Sequence, residues 1–127
     1  ESIKEQGVSR QNYEKIIVTQ VVPSPNSTDF DIVEQHHISH ARHFPDDEPN
    51  YVTLEGYVNA RVLVEALTRV GLDLTRSKLI NTLESMNNED LGLGKVLSYG
   101  PYEHSGLTGI YYSRLDIESG KFEAFKP

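Results

Sequence analysis

The chain has 127 residues, 12 basic and 19 acidic side chains, a formal net charge of −7, 37% apolar residues and no cysteine. An acidic chain with scattered Lys and Arg has no electrostatic footprint for a nucleic-acid backbone or an anionic lipid surface. Without cysteine, neither a disulfide framework nor a thiolate zinc site can form, and no apolar run approaches the roughly 18 residues that span a bilayer.

Residues 1–14 are polar, are interrupted by Gly7 and read as a lead-in. The chain starts at Glu1, shows no signal peptide, and its one methionine is Met86, which points to a processed chain or a fragment. Lys15-Ile16-Ile17-Val18-Thr19-Gln20-Val21-Val22 is a β-branched run. It predicts a strand buried on both faces, as in a parallel sheet, ended by the stiff connector Pro23-Ser24-Pro25. The glycosylation-like triplet Asn26-Ser27-Thr28 reads as chance.

Thr28 and Asp31 look like a capping-box start for a helix running to about Phe44, where Pro45 stops it. After the acidic loop Asp46-Asp47-Glu48, a second helix is expected from near Thr53 to Gly71. Its apolar residues lie on more than one face, which predicts extensive burial, and Gly56 with Ala60 would admit a close neighbour. Thr75 can cap a third helix carrying Leu79, Ile80, Leu83 and Met86. Beyond Gly92 the pattern predicts strands over 95–99, 109–116 and 121–125. Glu118-Ser119-Gly120 is the expected turn of a closing hairpin, with Gly120 at positive φ.

The chemistry-bearing residues are sparse. His36, His40 and His43, with His37 beside them, fall on one helical face. Ligands on successive turns of one straight helix do not converge on an ion, so the reading is a solvated helix flank beside Ile32, Val33, Ala41 and Phe44, with no metal site. Gly92, Gly94 and Gly100 lack dinucleotide or phosphate-loop spacing. Glu103, His104 and Ser105 supply triad residue types, but sequence neighbours rarely align productively, so a polar turn is expected. Tyr99, Tyr102, Tyr111 and Tyr112 can pack or stack on a ligand, and Tyr99 and Tyr102 are the candidate binding residues. No catalytic group and no cofactor is expected.

The stretch Pro49-Asn50-Tyr51-Val52-Thr53-Leu54-Glu55-Gly56-Tyr57-Val58-Asn59-Ala60-Arg61-Val62-Leu63-Val64-Glu65-Ala66-Leu67 is more specific. It resembles the long helix near the C-terminus of type I periplasmic substrate-binding proteins, the leucine/isoleucine/valine-binding kind. Ile17-Val18-Thr19-Gln20-Val21-Val22-Pro23 resembles that family's strand into a hinge crossover. Leu74-Thr75-Arg76-Ser77-Lys78-Leu79 resembles the start of its next helix, and Gly106-Leu107-Thr108-Gly109-Ile110-Tyr111-Tyr112-Ser113-Arg114 its closing strands.

The resemblance implies an α/β fold of two lobes with parallel sheets, flanking helices and closing C-terminal strands, of which this chain is the last third. Residues 1–22 and 106–127 would belong to the C-terminal lobe and residues 26–102 to the N-terminal lobe. Val22, Pro23, Ser24, Tyr102 and Glu103 would lie at the hinge crossings. The implied role is a periplasmic or extracellular receptor, not an enzyme, that takes an amino-acid-like solute to the membrane permease of an ABC importer. A sensing domain of a signalling protein is the alternative within the same fold, and a His-based metal hydrolase is the enzyme alternative. Incomplete lobes would leave the chain to form a homodimer or to associate with the remainder of its receptor.

Overall fold

The computed structural model describes residues 15–116 and 118–125; the polar lead-in lies outside the described residues. In chain order these form β1 (Ile17–Gln20), α1 (Asp31–His43), α2 (Tyr51–Val70), α3 (Arg76–Ser85), β2 (Glu89–Asp90), β3 (Val96–Leu97), β4 (Tyr111–Leu115) and β5 (Phe122–Phe125).

The two ends of the described chain meet in one sheet of order β1-β4-β5. Both pairings are antiparallel, with Val18 opposite Ser113 and Ser113 opposite Ala124. The β-branched run therefore does not sit between parallel neighbours here. Ile17 is 46% exposed, so the expected burial on both faces is not met by this chain's own residues. The β4–β5 turn forms as expected. The Asp116 carboxylate accepts the amides of Glu118 and Ser119, and Gly120 adopts φ 68°.

Between these strands lies the helical body. α2 starts earlier than expected because Asn50 is its N-cap, accepting from the amides of Val52 and Thr53 while the Thr53 hydroxyl accepts from the Asn50 amide. Its buried residues, Leu54, Val58, Val62 and Ala66, make a single stripe at four-residue steps. Val52, Leu63 and Val64 are exposed, and a Cβ at Gly56 would meet nothing within 4 Å. Burial of α2 is thus one-sided, and the expected close approach at Gly56 and Ala60 does not occur.

α1 begins at Asp31 without a side-chain cap; Thr28 does not serve as one. Instead the Ile32 amide donates to the Gly92 carbonyl at 3.4 Å. A distant loop therefore satisfies a helix-end donor that local sequence leaves open. Gly92 sits at φ 76°, where an added Cβ would lie 3.1 Å from the Ile32 nitrogen. α3 is capped by Thr75 as expected, its hydroxyl accepting from the Lys78 amide.

The core has two adjoining parts. Val22, Ile32, Val33, Leu54, Val58 and Leu93 form one, with Phe30 and Tyr57 packed against it. Val62, Ala66, Met86 and Leu97 form the other, with Leu79, Leu83 and Tyr99 at its margin. Tyr111 ties the sheet to this body. Its hydroxyl donates to the Leu93 carbonyl at 2.7 Å, its ring meets Phe30 edge-on at 5.9 Å, and burial pushes its pKa up to about 12.

Candidate functional site

A groove opens where the end of β1, the middle of α2, α3 and the 99–107 segment meet. One part, of about 450 Å³, is walled by Val62 and Leu63 from α2 and by Ile80 and Leu83 from α3. Asn59, Glu84, Tyr99 and His104 supply its polar rim. A neighbouring hollow of about 250 Å³ shares Asn59, Val62, Tyr99 and His104 and reaches Val21 and Val22. The combined shape is an apolar trough with a few polar groups, the make-up of a small-molecule site.

Tyr99 is the best-positioned residue in it. Its amide donates to the Met86 carbonyl at 2.8 Å. A Cβ at Gly106 would lie 2.6 Å from the Tyr99 ring, so only glycine lets the phenol lie against that backbone. Burial raises the Tyr99 pKa, keeping the hydroxyl neutral and able to donate. Tyr102, the other candidate from the sequence, is fully exposed at a turn and does not line the groove. Asn59 and Glu84 carry no distinguishing signal in the sequence, because a polar residue on an amphipathic helix looks like any solvated position.

The 103–105 turn is braced by its own side chains. The Glu103 carboxylate accepts from the Ser105 amide at 2.7 Å, and that bond holds its pKa below the usual carboxylate range. His104 faces Glu84 at 3.6 Å.

At the other expected crossing, Val22, Pro23, Ser24 and Pro25 are buried. The Pro25 carbonyl accepts from His37 Nε2 at 2.6 Å, and the Ser24 carbonyl accepts from the Ser27 amide. The connector is therefore clamped to α1.

The histidine face differs from the solvated flank expected of it. His36 and His40 are 2% and 6% exposed and continue the buried stripe begun by Ile32, whereas Ala41 and Phe44 are exposed. Four-residue spacing from Ile32 places both imidazoles against α2, where the His36 ring lies 5.5 Å from that of Tyr57. Neither His36 ring nitrogen has a hydrogen-bond partner. Among the described residues no three His, Cys, Asp or Glu side chains gather to hold a metal.

Over 86% of its length the chain superposes, with TM-score 0.77 and 31% identity, on a possible leucine/isoleucine/valine-binding protein from Rhodopirellula baltica SH 1. The chain is similar to the type I periplasmic substrate-binding proteins and has part of their fold. A fatty acid ABC transporter substrate-binding protein from Thermomonospora curvata matches with TM-score 0.71 and 21% identity over 88% of the chain. An ABC transporter substrate-binding protein from Aeropyrum pernix matches with TM-score 0.69 and 22% identity over 94%. The chain spans only 29%, 30% and 33% of these three proteins, about a third of a binding protein. No family model matches the sequence, and no curated protein does.

Proposed function

We propose that the chain forms part of an extracytoplasmic solute-binding receptor that serves an ABC importer for amino acids or related small solutes. The observation that carries this reading is the fold shared with the Rhodopirellula protein, which supports binding over catalysis. The groove supports it further. Its apolar walls suit an aliphatic side chain, and Asn59, Glu84 and Tyr99 supply groups for a charged head.

In this reading residues 1–22 and 106–127 belong to one lobe and 26–102 to the other, crossing near Pro23 and at 102–105. The β1-β4-β5 sheet is built only from strands at the two ends of the described chain, which supports that division. The rest of the receptor would close over the groove, and solute would favour the closed state through contacts made only there. The same fold can instead report solute to a signalling partner.

Equilibrium binding of leucine to the receptor containing this chain tests the proposal. Tyr99→Ala should weaken binding by about tenfold or more, the scale of one lost hydrogen bond plus packing. Unchanged affinity would contradict a role for this groove.

A further inference from the structure

A second depression lies between α1 and α2, away from the groove above. On a helix, Tyr57 and Asn59 are about 200° apart, so α2 presents Asn59, Val62 and Leu63 to one side and Tyr57 and Arg61 to the other. On that far side a pocket of about 300 Å³ brings together Arg42 and His43 of α1 with Tyr57 and Arg61 of α2. It adjoins a slot of about 280 Å³ that shares Ser39 and Tyr57 and is walled by the rings of His36, His40 and Phe44. Gly56 leaves the slot open, since a side chain there would meet nothing within 4 Å.

Two features of this pocket, whose Arg42 and Arg61 are solvent-exposed, suit an aromatic anion. In a chain of net charge −7, whose Arg69 is held by Glu65 and Glu89, neither Arg42 nor Arg61 has an ion-pair partner among the described residues. Arg42 and His43 lie in the last turn of α1, where positive charge offsets the helix dipole. Arg61 stands mid-helix in α2 and has no such duty. The second feature is aromatic: His40 and Phe44 lie 5.6 Å apart, and His36 and Tyr57 lie 5.5 Å apart, along one slot.

We infer that this pocket binds a small aromatic carboxylate, with the ring in the slot and the carboxylate between Arg42 and Arg61. Guanidinium groups recognise carboxylates through paired charge-assisted hydrogen bonds, and rings favour offset or edge contacts with rings.

NMR titration of the receptor containing this chain, following the Tyr57 ring and the amides of α1 and α2, tests this with sodium benzoate, sodium acetate and benzylamine. Benzoate should saturate with an affinity of about millimolar, while acetate, lacking the ring, and benzylamine, of the wrong charge, should bind at least about tenfold more weakly. The double variant R42A/R61A should lose about tenfold for benzoate with an unchanged melting temperature. Gly56→Leu, which fills the slot without altering charge, should also weaken benzoate. Absence of saturable shifts, acetate or benzylamine matching benzoate, or undiminished affinity in R42A/R61A would each overturn the inference.

Discussion

The His36 imidazole packs 5.5 Å from the Tyr57 ring with neither of its nitrogens hydrogen-bonded, so a titratable group serves as core packing between α1 and α2. Burial lowers its pKa, and the neighbouring His40 and His37 lower it further. Tyr57 is the titratable ring that α2 sets against it.

The sign of the pH dependence follows. The folded pKa lies below 6.5, the ordinary value, so the unfolded chain binds more protons in the window beneath 6.5. The contribution of neutral His36 is full above that value and is lost as pH falls toward the folded pKa. His36→Phe fills similar space without the unmet hydrogen bonds and should gain about 1–3 kcal/mol. Melting curves between about pH 8 and pH 5 should show the gap between variant and parent widening toward acid. A gap that narrows toward acid would contradict this account.

Asn50 starts α2 through a reciprocal bond pair with Thr53. Asn50→Ala should cost about 1 kcal/mol and Asn50→Gly only a few tenths. Denaturant titration measures the difference, and equal losses for both would show that the side-chain cap is not what holds this end.

Gly92 couples a loop to the start of α1 through Ile32. Its φ of 76° and the nearby Ile32 nitrogen make Gly92→Ala costly, by about 1–3 kcal/mol. Gly56→Ala, in the open interior of α2, should instead stabilise by about 0.5–1 kcal/mol. Opposite signs in thermal melts are the expected result, and like signs would contradict the geometry.

Elements whose signals are local were legible in sequence. The three helices, the Thr75 and Gly71 ends and the Gly120 turn all follow from spacing and cap chemistry that neighbours do not override. Long-range partners decided the rest. β1 reads as a doubly buried strand, yet within the described residues it pairs only with β4 and stays half-exposed, because strand burial depends on distant neighbours that a local apolar run does not name. His36 and His40 read as solvated because imidazole is polar, but their four-residue spacing from Ile32 carries them into the core. Tyr99 was legible as a candidate; that Gly106 seats it and that Asn59 and Glu84 share its groove depends on tertiary approach alone.

β1 has one edge unpaired among the described residues, and Ile17, Val21, Leu63 and Val64 are exposed. Open strand edges and apolar surface recruit partners. The isolated chain should therefore self-associate, and light scattering should give a mass above 14.3 kDa. A strictly monomeric species with a cooperative melt would mark these residues as a self-contained domain.

The central claim, that the chain supplies one part of a two-lobed solute site, is tested most directly by calorimetry with leucine, isoleucine and valine. The 127-residue chain alone should give no saturable heat at micromolar concentrations, while the receptor containing it should bind and should lose affinity on Tyr99→Ala. Micromolar binding by the isolated chain would place a complete site within these residues and contradict the account.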